Sequence, residues 1–162
     1  LPFIGFSLLV SACGFQPLYA KRSNEAGEIA TTDELLSTVY VEVIDDREGQ
    51  ILRNLLLDRL NPGNQQIAKT YKLNTSIRIT KSGLGVQSDD TTTRSKLTVT
   101  ANFTLQSPTK NHNFSITQIS GYSEAESEYP TLVAEQDAIK RNLREIANDA
   151  KIRIALYLEQ DR

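Results

Sequence analysis

A single histidine, His112, is the one side chain in this 162-residue sequence whose ordinary pKa suits proton transfer near neutral pH. Serine or cysteine nucleophiles need such a base beside them. His112 sits among Lys110, Asn111 and Asn113, and Pro108 to Asn113 reads as a turn, so it is expected to be a solvated loop residue. The single cysteine, Cys13, stands at the end of an apolar leader and is claimed by other chemistry. Zinc sites draw on several Cys and His residues at short spacings, which this chain cannot supply. Two carboxylate pairs remain. Asp45-Asp46 precedes a helical pattern and reads as a helix cap. Asp89-Asp90 lies in the connecting loop SGLGVQSDDTTT and could meet calcium, but the ligand spacing of a calcium loop is absent. Gly83-Leu84-Gly85 lacks the third glycine and the strand–helix context of a dinucleotide loop. The inventory argues against an enzyme and gives no metal or dissociable cofactor to expect.

Binding chemistry is better supplied. Arg78, Lys81, Arg94 and Lys96 lie on or beside two alternating strands. By alternation Arg78 and Lys96 fall on the polar face, and Arg94 joins them if its strand extends that far. Together Arg78, Arg94 and Lys96 could form a cationic patch for phosphate groups; the plainer reading is a solvated face. No aromatics interleave with them, which disfavours single-stranded nucleic acid. The net charge of -2 provides no field built for nucleic acid either.

The elements that must position these residues follow from periodicity. Val39 to Ile44 is a β-branched alternating run and reads as a strand. Arg47 to Leu60 places Ile51, Leu52, Leu55, Leu56 and Leu60 at helical spacing, and Asn61-Pro62-Gly63 stops it. In the next strand Tyr71, Leu73, Thr75, Ile77 and Ile79 share one face. In the one after, Leu97, Val99, Ala101, Phe103 and Leu105 do the same. A less regular strand runs from about Phe114 to Ser123, where Gly121 suggests a bulge. A long helix from about Thr131 to Leu158 carries the stripe Ile139, Leu143, Ile146, Ala147, Ala150 and Ile154. Its wet side offers the i,i+4 pairs Asp137–Arg141, Arg141–Glu145 and Asp149–Arg153. Strand, helix, three strands, helix predicts a two-layer α+β sandwich. A four-stranded, mostly antiparallel sheet would be covered on one face by two helices, leaving the other face polar and free for a partner.

The N-terminus carries a separate signal. Leu1 to Val10 is an apolar run of signal-peptide length, well short of the ~20 residues needed to span a bilayer. No initiator methionine or basic segment precedes it, and both are expected to have been lost from the start of the sequence. Val10-Ser11-Ala12-Cys13 resembles a lipobox. That resemblance implies cleavage before Cys13 and acylation of its thiol, with several acyl chains giving a firm anchor. Gly14 in place of aspartate after Cys13 favours the outer membrane over the inner one by the sorting rule of Gram-negative lipoproteins. Residues 20 to 34 are small and polar without periodicity and read as a tether. The expected organisation is a leader over 1–12, a lipidated N-terminus and tether over 13–34, and one domain over 35–162.

Several segments in order then resemble one family. They are Cys13-Gly14-Phe15-Gln16-Pro17-Leu18-Tyr19, Gln50-Ile51-Leu52-Arg53-Asn54-Leu55-Leu56, Asp90 through Thr93-Arg94, and Tyr129-Pro130-Thr131-Leu132-Val133-Ala134-Glu135-Gln136-Asp137-Ala138. They resemble the LPS-assembly lipoproteins of the LptE family in its alphaproteobacterial form. The resemblance implies a plug inside the outer-membrane β-barrel LptD, the translocon for lipopolysaccharide. It also implies help in assembling that barrel and a part in lipopolysaccharide transport to the outer leaflet. A polar sheet face suits the polar lumen of a wide barrel. An adaptor subunit of another outer-membrane assembly complex stays open as the alternative, and a periplasmic hydrolase is what the residue inventory argues against.

Overall fold

Two long strands with one dry and one wet side dictate the architecture, because the dry side must be covered. The computed structural model describes residues 31–83, 93–125 and 127–161. Their elements are α1 (Thr32–Ser37), β1 (Val39–Val41), α2 (Asp46–Leu60), β2 (Tyr71–Gly83), β3 (Thr93–Gln106), β4 (Asn111–Glu124) and α3 (Glu128–Gln160). The strands form one sheet in the order β1-β2-β3-β4. β1 runs parallel to β2, with Val39 opposite Tyr71 and Val41 opposite Leu73. β2–β3 and β3–β4 are antiparallel with unbroken registers, from Lys72 opposite Gln106 to Gly83 opposite Ser95, and from Thr93 opposite Glu124 to Gln106 opposite Asn111. The expected α+β sandwich with a mostly antiparallel four-stranded sheet is therefore the one observed. Gly121 lies in register opposite Lys96, so the bulge expected there is absent.

The core is the dry side of that sheet against the helices. Leu73, Leu97, Val99, Ala101, Phe103 and Leu105 are buried from the strands. The stripe Ile139, Leu143, Ile146, Ala147, Ala150 and Ile154 meets them from α3, and Leu52, Leu56 and Leu60 from α2. Each fully buried leucine or isoleucine contributes about 1.5–3 kcal/mol of transfer free energy. The expected i,i+4 ion pairs on α3 are not among the salt bridges of the described residues. Asp149 instead accepts a hydrogen bond from Gln118 Nε2 at 3.2 Å, and Arg153 donates to the Ser115 carbonyl at 3.2 Å. Exposed ion pairs gain too little to hold two long side chains on the helix when sheet partners lie within reach.

Three local expectations are corrected. First, helix α1 begins at Thr32, inside the stretch expected to be tether through residue 34. Its fixings are tertiary: Leu36 is buried, Thr32 donates to Glu159 Oε1 at 3.2 Å, and Asp33 meets Lys151 Nζ at 3.7 Å. Second, Asp45 holds the N-cap position of α2 but makes no capping hydrogen bond with its side chain, and Asp46 opens the helix at φ 67°. The Asp45-Asp46 pair is thus not spent on capping. Third, His112 is not in a turn. The turn is tighter, closed by Ser107 N–H donating to the Lys110 carbonyl at 3.0 Å, and β4 has already begun at Asn111. His112 points to the helix side and stacks on Tyr157 of α3, centroids 4.3 Å apart, beside Phe114 at 5.7 Å. Lys110 lies over the same Tyr157 ring, 5.5 Å from its centroid, and pairs with Asp161 at 3.4 Å. The histidine is a packing residue that fastens the end of α3 to the sheet.

Gly49 is buried in α2 where Ile44 packs under the helix. A Cβ there would stand 2.7 Å from Ile44 Cγ2 and 3.0 Å from its carbonyl carbon and oxygen. Alanine gains up to about 1 kcal/mol in helix propensity over glycine, but overpacking of this kind costs about 1–3 kcal/mol. Gly49→Ala is therefore expected to lower the urea midpoint. A raised midpoint would show that Ile44 yields and propensity wins.

Candidate binding face of the sheet

The uncovered side of the sheet is built from one parity of every strand. β2 supplies Lys72, Asn74, Ser76, Arg78, Thr80 and Ser82 to it; β3 supplies Arg94, Lys96, Thr98, Thr100, Asn102, Thr104 and Gln106. β4 adds Asn111, Asn113, Ser115, Thr117, Ile119, Gly121 and Ser123. No aspartate or glutamate falls on this parity of β2, β3 or β4. Threonine, serine and asparagine cover it; threonine suits the pleated surface because its β-branched side chain packs well there, and all three keep the face polar. Thr100 and Thr117 hydroxyls bridge β3 and β4 at 3.0 Å.

All of Arg78, Arg94 and Lys96 are exposed on this face. β3 begins at Thr93, so Arg94 lies within the strand and its parity matches that of Lys96. None of the three forms an ion pair among the described residues, whereas Lys72 is paired with Glu42 at the β1 edge. Lys81, the remaining basic residue of β2 and β3, is on the opposite side and is tied to Glu135 of α3 at 2.5 Å. The register fixes their spacing. Arg78 is opposite Thr100, and Lys96 lies opposite Ser82 and Gly121. Lys96 is four residues along β3 from Thr100, about 13 Å at the strand rise, while Arg94 and Lys96 are about 7 Å apart. The sheet thus brings Arg94 and Lys96 together and leaves Arg78 a separate charge further along the face.

One residue of this face escaped the sequence reading. Ile119 is 62% exposed, opposite Thr98 and so beside Lys96 in the sheet. Its signal was parity: Ile116 is buried on the other side of β4, and a residue three positions on must face outward. A large apolar side chain among free cations makes this end of the face amphipathic. Cys13, Asp89-Asp90, Leu84 and Gly85 lie outside the described residues. Among the described residues no three metal-ligating side chains come together, and no helix is long and apolar enough to cross a membrane.

No curated protein matches the chain in sequence. Among solved structures it is similar to a candidate lipoprotein from Caulobacter crescentus CB15, with 23% identity over 81% of this chain and 97% of that one, at a TM-score of 0.61. It is also similar to the rare lipoprotein B of Shewanella oneidensis, with 14% identity over 76% and 96% of the two chains and a TM-score of 0.57. These likenesses establish a shared fold. The family model described as LptE, lipopolysaccharide-assembly, matches residues 36–154, from α1 to near the end of α3. The chain therefore belongs to the LptE lipopolysaccharide-assembly family.

Proposed function

We propose that this protein is an outer-membrane lipoprotein, anchored by lipid on Cys13, that plugs the lipopolysaccharide-translocon barrel LptD. In this reading it assists that barrel's assembly and takes part in moving lipopolysaccharide to the outer leaflet. It acts by binding and positioning, without catalytic chemistry of its own. The observation that carries the reading is the uncovered sheet face, which takes no acidic residue from β2, β3 or β4 and bears Arg78, Arg94 and Lys96 without ion pairs among the described residues. Such a face matches the polar lumen of a wide barrel, and its cations match phosphate groups of lipopolysaccharide. Family membership supplies the process. The test is co-purification of the tagged protein from its own outer membrane. Recovery of the translocon barrel is expected; recovery of a different assembly complex, without that barrel, would make it an adaptor of that complex.

The same reading divides the chain into a leader over 1–12, a lipidated N-terminus and tether from Cys13 up to the start of α1 at Thr32, and the domain from there on. Cys13→Ser removes the thiol that lipid would modify. Labelled palmitate is expected to enter the wild type and not the variant, which accumulates as unprocessed precursor or unacylated product. Equal labelling of both would place the lipid elsewhere.

A further inference from the structure

β1 covers only the first three residues of β2, so, among the described residues, 74–83 form an open sheet edge. Glu42 N–H donates to the Leu73 carbonyl at 3.0 Å, which fixes the parity of the strand. The backbone groups of Thr75, Ile77, Ile79 and Lys81 therefore point away from β3 toward this edge. Among the described residues no backbone group pairs with them.

Edge strands usually carry a guard: a proline, a bulge, a short length or an inward-pointing charge. β2 has no proline, its register is unbroken, and its open stretch is ten residues long. The two charges of that stretch are Arg78, which lies on the uncovered face opposite the helices, and the inward Lys81, which Glu135 neutralises. The opposite edge differs, because Arg153 reaches from α3 to occupy the Ser115 carbonyl of β4. Beside the open edge the helix layer leaves a cleft of about 190 Å³, with Ile77 and Ile79 of β2 on one side and Asp45, Asp46, Glu48 and Gly49 at the start of α2 on the other. The three carboxylates have neither an ion pair nor a side-chain hydrogen bond among the described residues, and Asp45 does not cap its helix.

We propose that the open edge of β2 is a strand-addition site for an extended segment of another protein, one with alternating apolar side chains and a basic residue set against Asp45, Asp46 and Glu48. Main-chain hydrogen bonds to the edge supply affinity, and the cleft beneath reads alternate side chains. Apolar side chains extend the half-buried row of Ile77 and Ile79. The acidic wall selects a basic residue at the end near α2 and repels an acidic one.

The probe is a short synthetic peptide of alternating valine and threonine with lysine at both ends, added to the purified full-length protein in detergent. Backbone amides of Thr75, Ile77, Ile79 and Lys81 are expected to gain protection from hydrogen exchange. A glutamate-ended peptide should bind at least about tenfold more weakly, and one N-methylated at alternate amides should give no protection. Ile79→Pro removes an edge-facing donor at a position where an edge strand tolerates proline, and should abolish the protection. If that variant does not fold, Asp45→Lys with Glu48→Lys serves instead and should reverse the preference between the two peptides. Absence of protection, or equal binding of both peptides, would overturn the proposal. So would a concentration-dependent dimer of the protein alone that protects the same amides, since the edge would then belong to a second copy.

Discussion

Leu143→Asp is expected to leave no folded protein at room temperature. Leu143 is fully buried at the middle of the α3 stripe, where the helix crosses the core made by β3, β4 and α2. Its neighbours along the stripe, Ile139, Ile146 and Ala147, are buried too, so an introduced carboxylate enters an apolar stripe with no cation beside it. Placing an unpaired charge in such a site costs several kcal/mol or forces the group to take up a proton, and the lost packing adds about 2–5 kcal/mol. A domain of this size is stable by about 5–15 kcal/mol in all. The measurement is circular dichroism with a thermal scan, beside Arg144→Asp as control. Arg144 is the next residue, exposed, where a charge reversal should shift stability by about 0.5 kcal/mol or less. A cooperative melt of Leu143→Asp within a few degrees of the wild type would mean that α3 does not seal the sheet.

What could be read beforehand and what could not divides along physical lines. Strict alternation from Leu97 to Leu105 placed every one of those side chains correctly, because a strand with one wet side leaves its period in the composition. α3 was legible for the same reason at period 3.6. His112 was misread because Asn111, His112 and Asn113 have the composition of a turn. Their strand character comes from pairing with Thr104, Leu105 and Gln106, and the burial of His112 from Tyr157, forty-five residues away in sequence. α1 was missed because six residues cannot form a stable helix alone; Asp33, Thr32 and Leu36 are fixed by partners elsewhere. For the binding face, parity assigned Arg78, Arg94 and Lys96 to one side. It could not supply their separation, which depends on the register of β2 against β3. Nor did it reveal the open edge, since how far β1 accompanies β2 is a tertiary fact.

That register sharpens the second large expectation, which rests on the proposed binding of lipopolysaccharide. The double change Arg94→Glu with Lys96→Glu should cut retention of purified lipopolysaccharide by more than about tenfold, since charge-assisted contacts to phosphate are lost and like-charge repulsion replaces them. Both side chains are exposed on the uncovered side and neither is paired in the described structure, so melting should move little. Arg78→Glu alone should have a smaller effect. It stands about 13 Å from Lys96 along the sheet, beyond a screening length of about 8 Å at physiological salt, so it acts as a separate contact. Ile119→Ser tests the apolar share of the same end: it should weaken retention without changing its salt dependence, because it removes contact area and no charge. The wild type should lose ligand as salt rises, and the double variant should show a flatter salt response over the same range. Retention by the double variant equal to that of the wild type, at equal melting temperature, would remove Arg94 and Lys96 from the site. The sheet face would then serve as the wall of a plug, and its polar surface would answer to the barrel alone.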